Sequence, residues 1–205
     1  MKANRLAALG LAILSGCGGG SDSPAPPSPA TATQLAAYVG TWSTTCSNHR
    51  ADRINIGPTA GSADSVTVAY RTDYYLNGDC TGPILATFTQ SADATATWTG
   101  SVDATIAPTP GAAPIPVRID QVNATIPSYT LVVTGSGVAK SVVNGTTQWC
   151  VNLGSGNAGA TCIEDKGIYA GQANVAGGIT VRNDTLYDLS VTGSTWTVDG
   201  IFTRF

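Results

Sequence analysis

Residues 64–76 read DSVTVAYRTDYYL, and their reading decides the fold. Val66, Val68, Tyr70 and Tyr74 share one parity, and Thr67, Arg71 and Asp73 share the other. A period of two sends successive side chains to opposite faces, which predicts a half-buried strand. The same alternation continues downstream. Ile84, Ala86 and Phe88 alternate with Leu85, Thr87 and Thr89, and Ala94, Ala96 and Trp98 with three threonines. Ile115, Val117 and Ile119 hold one phase, and Val122, Ala124 and Ile126 hold the opposite one. The odd step between them predicts a β-bulge near Asp120-Gln121. Further strands are expected at 129–134, 148–153, 179–181, 185–191 and 195–204. Asn77-Gly78, Asn144-Gly145 and the PTPGAAP stretch at 108–114 supply turn chemistry between them. No segment keeps a helical period beyond a turn or two. The expected fold is all-β, an antiparallel up-and-down barrel, with a β-sandwich as the alternative.

Composition is consistent with this reading. The chain has 205 residues, of which 42% are hydrophobic, so one domain of ordinary size can bury a core. Charged residues make up 11%, well under the ~25% of ordinary soluble domains. Thr, Ser, Ala and Gly are expected to fill the surface instead. The net charge is −3, with no basic run, which argues against nucleic acid and anionic lipid as electrostatic partners.

The start of the chain carries an address. Lys2 and Arg5 precede LAALGLAIL at 6–14, a stretch too short to span a ~30 Å hydrocarbon core as a helix. This is the pattern of a signal peptide, and it ends in Leu14-Ser15-Gly16-Cys17. That ending resembles the bacterial lipoprotein lipobox. The resemblance implies cleavage after residue 16, a diacylglyceryl group on the Cys17 thiol and acylation of the freed amine. Gly18 stands where aspartate would favour inner-membrane retention, so the implied destination is the periplasmic side of the outer membrane. The expected organisation is a signal peptide at 1–16, a lipidated Gly/Ser/Pro tether at 17–34, and one β domain at 35–205.

Beyond the anchor, Cys46, Cys80, Cys150 and Cys162 make an even set, as expected for two disulfides in an oxidising compartment. Up-and-down strands bring Cys46 and Cys80 to one rim. Cys150 and Cys162 flank a glycine-rich excursion that a bridge would close. The expected pairs are therefore Cys46–Cys80 and Cys150–Cys162. A zinc site would need closer cysteine spacing.

Tyr38–Trp42 reads YVGTW, a Gly-x-Trp at a first strand after a helical turn, and resembles the lipocalin and wider calycin pattern. The resemblance implies that Trp42 closes a barrel floor and that an arginine of the last strand, Arg204, packs over its ring. It also implies a carrier of a small apolar ligand, with Val66, Val68, Tyr70, Tyr74, Phe88 and Trp98 as candidate lining. The alternative is a filled barrel that serves a structural or interaction role without a small-molecule ligand. Catalytic signals are sparse. His49, the one histidine, lies in SNHRADR with Arg50, Asp52 and Arg53, read as a charged turn between the first two strands. GSGVAKS at 135–141 fails the phosphate-loop spacing and reads as a hairpin or loop. Glu164 and Asp165 are adjacent and point to opposite strand faces. No enzyme activity, cofactor or metal is expected.

Overall fold

In a computed structural model of the chain, residues 34–154 and 159–205 are described. The signal peptide, Cys17 and the tether up to residue 33 lie outside the described residues. The helical turn expected near the domain start is a 3-10 turn, Ala36–Tyr38. Thirteen strands follow among the described residues. They are β1 (Gly40–Ser43), β2 (Arg50–Pro58), β3 (Ser65–Tyr75), β4 (Ile84–Gln90) and β5 (Ala94–Ile106). Next come β6 (Ile115–Ile126), β7 (Leu131–Thr134), β8 (Val138–Val143), β9 (Thr146–Asn152) and β10 (Ala160–Glu164). The last three are β11 (Gln172–Arg182), β12 (Thr185–Thr192) and β13 (Thr195–Arg204).

Strands β1, β2, β3, β5, β6, β11, β12 and β13 hydrogen-bond in a ring, with β4 and β7 attached to it; β8, β9 and β10 form a second sheet. This corrects the lipocalin-like up-and-down barrel expected from the sequence. The outer edge of β3 is divided between two strands. Ser65–Val68 pairs with β5, whereas Arg71–Tyr75 pairs with β4. At this fork β4 leaves the ring and takes β7 as its other neighbour. The reason is apolar cover. Tyr74, Ala86 and Phe88 are buried not by a ring interior but by Val151 and Leu153 at β9, with Val138, Trp149 and Ile163 alongside. Two sheets packed face to face are a sandwich arrangement. The ring is itself drawn in, because β5 and β13, which share no ladder, approach within 8 Å between Cα atoms. Sandwich-like packing of two sheets describes the domain.

Three local readings change as well. Arg50, Asp52 and Arg53 are not a charged turn but the first residues of β2, paired with β3 from Arg50↔Tyr74 onward. Residues 138–141 of the glycine-rich stretch belong to β8, because Val138 and Lys140 gain partners on β9. The irregularity near Asp120-Gln121 is carried by the facing strand, where the ladder steps from Trp98↔Val122 to Gly100↔Gln121. Thr99 is thus the extra residue, and it lets Ile119 and Val122 both be buried, in two different clusters.

One end of the ring is stopped by the 3-10 turn. Leu35 and Trp42 are fully buried there beside Val66, Leu186 and Phe202. Tyr38 donates its hydroxyl to Asp120 at 2.6 Å, and the Trp42 indole donates to the Tyr38 carbonyl at 2.7 Å. Ser101 also donates to Asp120 at 2.6 Å. Burial, then the hydrogen bond to Asp120 and its charge, push the Tyr38 hydroxyl well above the usual tyrosine range.

Tyr38→Phe should cost about 1.5–3 kcal/mol, the range for a hydrogen bond to a charged group. Below the ordinary pKa of 10.0, both folded and unfolded states keep the Tyr38 proton and its contribution is complete. Above it the unfolded chain ionises first, so stability falls with rising pH. Denaturant melts across that window should show a shallower fall for Tyr38→Phe; an unchanged slope would clear Tyr38 of the effect.

Candidate interaction groove

The groove lies where β2 and β3 meet the second sheet. Even-numbered residues of the second half of β3 face it, so Tyr70, Thr72 and Tyr74 stand in a row. Arg50 reaches in from β2 and separates two recesses. One, of about 420 Å³, lies among Thr44, Thr45, Ser47, Asp52 and Thr161. The other, of about 220 Å³, lies among Tyr70, Gln90, Tyr129, Ile163 and Tyr169. Tyr129 and Tyr169 stack with ring centroids 5.0 Å apart, held by two mutual backbone hydrogen bonds.

Arg50 and Asp52 set the electrostatics. The Arg50 Nε and Nη2 donate to Asp52 at 3.0 and 2.9 Å, and Thr72 donates to the same carboxylate at 2.6 Å. Burial alone would lower the Arg50 pKa, but the Asp52 carboxylate outweighs it and raises it. Burial is also the main reason that the Tyr70 and Tyr74 hydroxyls titrate above their usual range. These phenols stay protonated at neutral pH. The groove therefore offers hydroxyl groups and one guanidinium, half exposed, whose Nη1 has no partner among the described residues.

On the other face of β3, Asp73 is fully buried between Arg71 at 2.7 Å and Arg53 at 3.6 Å, with Thr87 donating at 2.7 Å. Arg53 also donates to the Tyr75 hydroxyl and stacks on Phe205, 4.1 Å from the ring centroid. Asp73 is the buried centre of this cluster, whereas Arg71 and Phe205 reach its exposed surface.

Other sequence-nominated residues have definite places. Disulfides join Cys46 to Cys80 and Cys150 to Cys162. The Arg204 guanidinium sits 4.2 Å from the Trp42 ring centroid and donates to the Ala37 and Val39 carbonyls. Gly40 has φ +139°, and a Cβ there would come within 2.8 Å of Arg204 Nη1, so the residue before Thr41-Trp42 must be glycine. His49 is committed to a turn. Its Nδ1 bonds the Tyr75 carbonyl at 3.0 Å, and its own carbonyl accepts from the Tyr75 N–H. Glu164 and Asp165 do not converge. Asp165 pairs with Lys140 at 2.7 Å, which holds its carboxyl below the usual range.

The six candidate lining residues do not share a chamber, and the carrier of a small apolar ligand is corrected on that ground. Tyr74 and Phe88 are buried against each other under the second sheet. Trp98 packs on the ring core and donates to Asp120. Val66, Val68 and Tyr70 border a void of about 320 Å³ inside the ring, beside Ala94, Ala96 and Ala124. Small side chains at those alanines leave this space, which sits at the low end of ligand cavities, ~300–1,000 Å³. The sequence did not nominate Thr44, Thr45, Thr161, Tyr129 or Tyr169. The only hint was the run of hydroxyl residues around Cys46.

Among the described residues, no group of three or more His, Cys, Asp or Glu side chains is placed to hold a metal ion. No helix of the described residues is long and apolar enough to cross a membrane. No protein-family model, curated protein or solved structure matches the chain.

If the ring void is a packing remnant, Ala124→Val should fill part of it and raise stability by about 0.5–2 kcal/mol in denaturant melts. A loss of stability would show that the surrounding side chains already leave no room.

Proposed function

We propose that the chain is a lipid-anchored lipoprotein on the periplasmic side of the outer membrane. Its all-β domain acts as a structural or interaction module, without a small-molecule ligand and without catalysis. The anchor rests on the sequence alone, on Lys2, Arg5, the apolar run at 6–14 and Leu14-Ser15-Gly16-Cys17. One acyl chain binds membranes marginally, at about 0.8 kcal/mol per buried CH₂, and the several chains implied by a lipobox make attachment lasting.

One observation carries the interaction reading. Most of the buried large apolar side chains belong to three packed clusters, whereas the larger recess of the groove is walled by Thr44, Thr45, Arg50, Asp52 and Thr161. The smaller recess adds the tyrosines Tyr70, Tyr129 and Tyr169. Such a surface is suited to a hydrogen-bonding partner, not to extracting hydrocarbon from water. The protonated tyrosines Tyr70 and Tyr74 support the non-catalytic half of the reading, since a phenol that holds its proton at neutral pH is not poised as a base.

Two measurements test this. Cys17→Ser should abolish incorporation of labelled palmitate in cells; incorporation that persists removes the anchor. A photo-crosslinking residue at Thr45 of the full chain should give a discrete adduct in cells, whereas one at the exposed Val142 should not. Equal labelling from both sites, or none from Thr45, would discard the groove as the working surface.

A further inference from the structure

The second sheet has an edge at β10 that no strand among the described residues covers, and of its outward groups the Glu164 carbonyl alone has a partner among those residues, the Tyr169 hydroxyl. The Asp165 N–H donates to the Thr147 carbonyl at 2.8 Å, which fixes the parity of the β9–β10 ladder. In an antiparallel pair, the residues two positions on, Ile163 and Thr161, then also bond toward β9. Ala160, Cys162 and Glu164 send their N–H and C=O groups the other way. Two observations agree with this assignment. The Tyr169 hydroxyl reaches the Glu164 carbonyl from that outer side at 2.6 Å. Cys162 and Cys150 face each other with Cα atoms 4.0 Å apart, the close spacing of a non-hydrogen-bonded pair. No strand among the described residues pairs with the outer side of β10.

We infer that β10 accepts an extended polypeptide segment of a partner as an added strand, with Arg50 receiving an acceptor side chain of that segment. The inference rests on the interaction reading above and specifies its mode. Chemistry on the page favours a polypeptide. An array of alternating N–H and C=O groups at strand spacing is complementary to another extended backbone. The edge is also pre-set, because the Cys150–Cys162 bond fastens the five-residue β10 to β9 and leaves little ordering cost for binding. Side chains blunt many edge strands with lysine, proline or a bulge, and β10 (ATCIE) has none of these. Across the recess from Thr161, Arg50 keeps Nη1 unengaged, a donor suited to a carboxylate, hydroxyl or amide oxygen on the incoming strand.

The test uses the full chain in detergent micelles and a random peptide library displayed on phage. An enriched peptide, made synthetically, should slow amide hydrogen exchange across 160–164 by about tenfold, as expected when backbone groups gain partners. Glu164→Pro removes one outward N–H yet leaves the Ile163 and Asp165 bonds to β9, so it should weaken the peptide about five- to tenfold. Arg50→Ala is a second variant that leaves the ladder untouched and should weaken it too. Non-reducing peptide mapping of Cys150–Cys162 in the Glu164→Pro protein verifies that the hairpin still forms. Failure to enrich any peptide overturns the proposal. So does a bound peptide that leaves exchange at 160–164 unchanged, or that tolerates both substitutions. A Thr45 adduct obtained alongside any of these failures would leave the interaction reading standing and remove only the strand-addition mode.

Discussion

The four residues of β1 hold the ring together. Gly40–Ser43 pairs with β2 on one side and with β13 on the other, so two ladders separated by most of the sequence meet on one short strand. A strand this short has little pairing energy of its own. It is fixed from both ends. Trp42 is fully buried below and is covered above by Arg204, which faces it in the ladder. Tyr38 ties the preceding turn to Asp120 on β6, the far wall of the ring. Arg204 then caps the carbonyls of the turn, so one side chain joins the last ring strand, the first strand and the 3-10 helix.

Burial of Tyr74 and Phe88 explains the rest of the architecture. Both sit on the half of β3 and β4 that diverges from the ring, where a single sheet would leave two aromatic rings in water. The β8–β10 sheet covers them with Val151, Leu153 and Trp149. Lys140 reinforces that cover by pairing with Asp165 and by lying 4.9 Å from the Trp149 ring centroid. The groove is the gap left where this cover meets β2. The polar part of its lining follows from position: Arg50 and Asp52 stand at the start of β2, where each charge has the other as its partner.

Strand content was legible because a period of two is a local property, written in residues such as Val66, Val68 and Tyr70. Strand partnership was not. Ile84, Ala86 and Phe88 alternate just as ring strands do, and nothing in that pattern announces that β4 departs from the ring. The first turn of β2 was hidden by its charges, since RADR carries no apolar alternation until Ile54 and Ile56. Likewise β8 was masked by Gly135 and Gly137, and its VAKSVV sequence has only weak alternation. Cysteine spacing was more informative, because Cys150 and Cys162 flank a short excursion whose two arms face each other in the structure. The groove was the least legible feature. Thr44, Thr161 and Tyr169 are distant in sequence, and ordinary surface residues look the same until the second sheet is placed.

The seam between β1 and β13 has a consequence for the order in which the domain can form. Its Trp42↔Arg204 contact joins residues on the first and last ring strands, so this closure involves one of the longest loops the chain can make. Local hairpins such as β5–β6 and β12–β13 need only short loops and can assemble early. Until β13 is available, β1 and β12 each present an open edge, the kind of surface on which partly formed chains associate. The chain is therefore most prone to association just before its final strand docks, when both of those edges are still open.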